Sequence, residues 1–204
     1  MSLHKNQPSI KILPQFYAAL DWLYRGIEQD CHDCKDPDCM GYIWLLEEEA
    51  DRLYEQGVPL VQINNGPTFI HSFPSTPEGK LDVSVRYPSC SQLCADSRQC
   101  SIHSNRPLVC HLYPLGLETA SDGIVAWVLH LDCLHVRRIR DHNLLSEFEQ
   151  RAIHIINNLS PELLSEIMKT YDAVDIISSF PYGQNNCSIL KEVRHVKMQG
   201  SSGQ

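Results

Sequence analysis

Nine cysteines stand in a chain of 204 residues: Cys31, Cys34, Cys39, Cys90, Cys94, Cys100, Cys110, Cys133 and Cys187. Three of them fall close together, as Cys31-x2-Cys34-x4-Cys39. Two thiols separated by two residues can converge on one point within a single tight turn, whose backbone N–H groups then aim at the sulfurs. Proteins present soft thiolates in this way to zinc and to iron–sulfur clusters. A closed zinc site and a cubane (4Fe–4S) cluster each take about four ligands. The early group is therefore short of a full set, and later residues must complete it.

The later group is Cys90, Cys94, Cys100, Cys110 and Cys133. Cys187, flanked by Asn186 and Ser188, reads as a non-ligand. The remaining eight thiols would fill two four-thiolate sites, or one site with spares. An isolated cysteine is ordinarily a small buried hydrophobe. Eight between Cys31 and Cys133 are hard to read that way. The N-terminal MSLHKNQPSIKILPQFY lacks the uninterrupted apolar stretch of a secretory signal, so a cytoplasmic location is expected. Stable disulfides are rare there, which favours metal or redox roles for the thiols.

Composition excludes some alternatives. Lys and Arg total 17 against 25 Asp and Glu, a formal charge of −8, so a nucleic-acid partner held on a broad basic face is not expected. No apolar run approaches the roughly 20 residues of a membrane span, so no membrane partner is expected either. A protein or peptide partner stays open. With 43% hydrophobic and 21% charged residues the chain can build a core.

The sharpest motif is Cys100-Ser-Ile-His103-Ser-Asn-Arg106-Pro107-Leu-Val-Cys110-His111-Leu-Tyr113-Pro114. With CHDCKDPDC at 31–39, Cys90-Ser-Gln-Leu93, and the apolar run into the acidic Glu47-Glu48-Glu49, it resembles the YkgJ-like CxxCxxCC cysteine-cluster family. That is a zinc- or iron-chelating family with flagellin lysine N-methylase as a relative. The resemblance covers about residues 31–135, and Cys133 falls at a late family cysteine. It implies a ligand set drawn from Cys31, Cys34, Cys39, Cys90, Cys94, Cys100, Cys110 and Cys133. The chain departs from the pattern at Met40, where the family has a second cysteine of a doublet, and at His103 and His111, where tyrosine and arginine are usual. Cys94, His103 or His111 could supply the missing donor.

Arg106 has a reading of its own. A guanidinium beside thiolates or an anionic cluster offsets charge and donates hydrogen bonds to sulfur, which makes Arg106 a cofactor-binding candidate. The plainer alternative is an ion pair with a nearby carboxylate. A Cys–His nucleophilic pair is chemically possible, but nothing in the sequence singles out one thiol among nine. No catalytic residue is assigned. No G-x-G-x-x-G or P-loop pattern supports a nucleotide or methyl-donor site.

The positioning elements follow from periodicity. Pro14 opens a helix with Phe16, Leu20, Leu23 and Ile27 on one face. A second helical pattern places Ile43, Leu46, Ala50 and Leu53 together, stops at Gly57-Val58-Pro59, and leaves Glu47-Glu48-Glu49 as a solvated face. Strands are predicted at 61–63, 68–70, 81–86 and 124–131, with a loop-rich stretch over 88–114. Helices return over 140–180, the second with Ser160 as N-cap and Pro161 in its first turn. The expected fold is α+β: N-terminal helices, a small sheet with long cysteine-rich loops, and a C-terminal helical pair. Residues 1–12 read as a loose leader, 13–180 as one metal-binding domain and 181–204 as a flexible tail. The function expected is metal binding through clustered thiolates, with an iron–sulfur cluster, 4Fe–4S, favoured over zinc. The alternatives are a metal-dependent enzyme modifying a peptide or protein, lysine N-methylase-like or redox, and a zinc-stapled interaction module.

Overall fold

The computed structural model describes residues 9–27, 30, 43–63, 66–72, 77, 89–94, 96–97, 99–119, 123–177 and 186–195. Cys31, Cys34 and Cys39 lie outside them, as does the strand expected at 81–86. In chain order the described elements are α1 (Leu13–Leu23), β1 (Trp44–Leu45), α2 (Glu47–Glu55), β2 (Leu60–Gln62), β3 (Thr68–Ile70), a 3-10 turn (His103–Asn105), α3 (Leu108–Leu112), β4 (Leu115–Thr119), β5 (Ile124–His130), α4 (Leu134–Asp141), α5 (Leu145–Asn157), α6 (Pro161–Ile177) and β6 (Cys187–His195). The architecture is the expected α+β, with two small antiparallel sheets where the sequence suggests one. By its contacts the chain divides into two units, Met1–Leu112 with Asn158–Phe180, and Tyr113–Asn157 with Pro181–Gln204. The stretch read as one domain, 13–180, contributes residues to both units. Among the described residues no helix is long and apolar enough to cross a membrane.

In the first unit, α1 buries Phe16, Leu20 and Leu23 of the predicted stripe and Leu13 besides, with Pro14 in the first turn, and ends before Ile27, which is half-buried. The leader is not wholly loose. Ile10 bridges to Leu159, donating its N–H to the Asn158 carbonyl at 2.6 Å and accepting from Ser160 N–H at 2.8 Å. The second helix starts at Glu47, so Ile43 and Leu46 precede it and Trp44–Leu45 pair as a strand. The reason is local: the Glu49 carboxylate accepts the Leu46 N–H at 2.8 Å, the reach-back of a helix-capping glutamate. The helix ends where expected. Gly57 takes φ 76°, a conformation that favours glycine, and Val58 N–H reaches back to the Leu53 carbonyl at 3.0 Å. The sheet runs β1-β3-β2, with Trp44 opposite Phe69 and Leu60 opposite Ile70. Ser160 caps α6 as read, its Oγ accepting the Leu163 N–H at 3.2 Å.

In the second unit β5 is the central strand of β4-β5-β6, and Val125 to Leu129 are buried. This is the most apolar strand read from the sequence. The flexible tail expected from 181 gives way to β6 over 187–195. Two register irregularities place extra residues, Val193 and Leu190, between paired ones. Each bulge resets the two-residue alternation, so no clean strand pattern is visible in the sequence.

Candidate metal centre

The described thiols of the first unit sit on a short, heavily hydrogen-bonded segment. Cys90 is buried in an apolar cluster with Ile43, Leu45, Leu53, Val58 and Ile70, against which Leu93, Ile102, Val109 and Cys110 also pack. From Cys90 the chain turns back on itself. Leu93 N–H donates to the Cys90 carbonyl at 3.0 Å, Leu93 bridges to Cys100, and Ser101 N–H returns to the Gln92 carbonyl at 2.8 Å. Gln92 N–H points at the Cys90 sulfur, 3.4 Å away. A backbone N–H aimed at a sulfur stabilises thiolate charge, as metal–thiolate loops do. Cys94 rides on the exposed side of this turn, its N–H on the Gln99 carbonyl at 2.9 Å.

Cys110 comes in on α3, whose start is fixed by Pro107. The Pro107 carbonyl accepts N–H bonds from both Cys110 and His111 at 3.0 Å. The first N–H of that helix, Leu108, donates to Glu49 Oε1 at 2.5 Å. Glu49 is 1% exposed, so the acidic run expected as a solvated face has one member inside. The Tyr17 hydroxyl also donates to it, so one carboxylate ties α1, the start of α2 and the cysteine-bearing α3 together. Burial raises the Glu49 pKa, and its hydrogen bonds from Tyr17, Leu46 and Leu108 oppose that rise. A legible signal existed: a glutamate three residues after the last non-helical position is a capping residue.

Electrostatics separate the thiols. Burial pushes the Cys90 thiol up, and the nearby Cys100 adds to the rise, while the Gln92 N–H opposes it. A buried thiol beside a second sulfur is a poor thiolate alone and a good one around a cation, which removes both penalties. Cys94 goes the other way, lowered by hydrogen bonds from Ser97 and then Asp96.

The Arg106 guanidinium bonds Asp21 at 3.0 Å and the His103 carbonyl at 3.2 Å, and lies 3.2 Å from the His103 ring. His111 is buried, stacked on Tyr17 with ring centroids 4.4 Å apart, and its Nδ1 is 3.3 Å from the same Asp21 carboxylate. Burial, then Arg106, pushes its pKa down to about 4, against the pull of Asp21. In the second unit Cys133 is buried just ahead of α4, with its carbonyl accepting the Arg137 N–H at 2.9 Å.

The structure therefore brings Cys90, Cys100 and Cys110 into one neighbourhood and sets Cys94 at its exposed edge. Among the described residues no group of three or more His, Cys, Asp or Glu side chains could hold a metal ion by itself. The soft donors present suit zinc or an iron–sulfur group in kind, and are incomplete in number without others.

Such a segment defines a class, the cysteine-rich chelating domain. Residues 29–128, just under half of the chain, match the model of the CxxCxxCC family, described as "Putative zinc- or iron-chelating domain". No curated protein matches the chain, and no solved structure does.

Proposed function

We propose that this protein binds an iron–sulfur cluster of the 4Fe–4S type, held jointly by the early cysteines and those of the 90–110 segment. The observation that carries the reading is the place of Ile43. It lies in the same apolar cluster as Cys90, with Cys110 packed against it. Ile43 is only four positions beyond Cys39. An extended chain covers at most about 3.6 Å per residue, so Cys39 is tethered within roughly 14 Å of that cluster. Asp30, the residue before Cys31, is buried as well.

Cys31, Cys34 and Cys39 would supply three thiolates, with Cys90, Cys100 and Cys110 offering the rest. When bound, such a cluster supplies one-electron redox chemistry or a rigid cross-link, and its assembly contributes folding free energy. Iron–sulfur is favoured over zinc because the donors are nearly all thiolate and are spread over long segments. Arg106 and its partner His103 stand between Cys100 and Cys110 in sequence, where a cation would offset cluster charge.

Anaerobic purification with iron, zinc and acid-labile sulfide analysis tests the proposal. A brown protein with broad visible absorption and equimolar iron and sulfide is the expected result. A colourless protein carrying zinc and no sulfide overturns the cluster and leaves a zinc-stapled module.

A further inference from the structure

The second unit carries a different arrangement of sulfur, centred on the one thiol the sequence reads as a non-ligand. His130, the last residue of β5, pairs directly opposite Cys187, the first of β6. Their side chains meet, with Cys187 Sγ 3.3 Å from His130 Nδ1. The other ring nitrogen, Nε2, faces Glu118 Oε1 on β4 at 3.6 Å. The Tyr113 ring stacks on the imidazole with centroids 5.5 Å apart and planes 21° apart, which fixes its orientation. Gly116 provides the space. It is two residues from Glu118, on the same face of β4, and a Cβ there would meet His130 Nε2 at 2.8 Å.

From these contacts we infer that Cys187, His130 and Glu118 form a nucleophile–base–carboxylate triad that accepts acyl groups from small activated esters or thioesters. A thiol within reach of a base, with that base oriented by a third group, is the structural signature of an activated nucleophile. Glu118 is the positioning residue. A carboxylate beside Nε2 favours the tautomer with its proton there, leaving the Nδ1 lone pair toward sulfur. The ionisation states agree. Burial, then the Glu118 and Asp132 carboxylates, pushes the Cys187 thiol up to about 11. Burial lowers His130, against the pull of Asp132. At neutral pH the pair is thus a thiol and a neutral imidazole, so attack requires proton transfer to His130. The His130 and Glu118 side chains are 23% and 18% exposed, open enough for a small acyl group.

The step balances without a redox partner. Sulfur attacks the carbonyl carbon, the S–C bond forms, and the thiol proton passes to Nδ1. The bond to the leaving alkoxide or thiolate breaks, and that group takes the proton from the imidazolium. Water then hydrolyses the thioester, releasing the carboxylic acid and restoring the thiol.

The test uses the full chain with its metal complement, treated with para-nitrophenyl acetate, and locates acetyl groups by peptide mass spectrometry. Cys187 should be acetylated faster in the folded protein than in urea, where burial and base are both lost. His130→Asn should slow Cys187 about 100-fold while leaving the exposed Cys94 unchanged as an internal reference. Gly116→Ala, which crowds the ring, should slow it about 10-fold. Glu118→Leu should act in the same direction, and Glu118→Gln, which keeps an acceptor, should restore most of the rate. Acetylation confined to Cys94, a Cys187 rate no higher folded than unfolded, or no response to His130→Asn overturns the triad.

Discussion

Cys90 and Cys187 are both thiols whose ionisation is disfavoured, chiefly by burial. What faces each differs. Cys90 has a second thiol close by and a backbone N–H on its sulfur. Cys187 has an imidazole nitrogen at 3.3 Å and carboxylates beyond. The first setting gathers soft donors, so its penalty is relieved by a cation. The second holds a base against its sulfur, so its penalty is relieved by proton transfer. Neighbours, more than burial, decide whether a cysteine is a ligand or a nucleophile.

The comparison breaks most visibly in metal content. Cys90→Ser or Cys100→Ser should lower bound metal more than 10-fold, measured by mass spectrometry of purified protein. Cys187→Ser should leave it unchanged; loss of metal there would erase the distinction. Next in size is Glu49→Ala. It leaves the Leu46 and Leu108 N–H groups and the Tyr17 hydroxyl without their acceptor, and should cost about 3 kcal/mol in chemical denaturation. Glu49→Gln, keeping one acceptor oxygen, should cost about 1 kcal/mol. A neutral Glu49→Ala would mean the cysteine-bearing helix is not held through this carboxylate.

The smallest effect is in pH. His130 has its folded pKa below the ordinary histidine value of 6.5 because it is buried. The unfolded chain therefore binds the proton first as pH falls. Stability from this group is fully present above about 6.5 and is lost as pH drops through the lowered folded value. Denaturation midpoints of the wild type and His130→Asn should accordingly converge on acidification. Divergence would mean that the carboxylates, and not burial, govern the ring.

Much of this was legible in sequence, and the failures have physical causes. The α1 stripe and the apolar run of β5 each bury a continuous face, so their periodicity is plain. The thiols announce themselves by type and spacing. The basic α4 buries only His135 and Val136, too little for a helical stripe to show. β6 is hidden by its two bulges, and with it the meeting of Cys187 and His130, which depends on strand register across 57 positions. Residue type alone hides Glu49 among identical neighbours, and only its capping position, three residues past the last non-helical one, marks which glutamate turns inward.

The central claim is that early and late cysteines serve one centre. Its most direct test is the metal content of Cys34→Ser and Cys100→Ser, singly and together. A shared centre predicts that either change alone removes nearly all the metal, and that the double variant loses no more. If each variant retains about half the wild-type content and only the double variant is empty, the two cysteine groups bind separately and the account is contradicted.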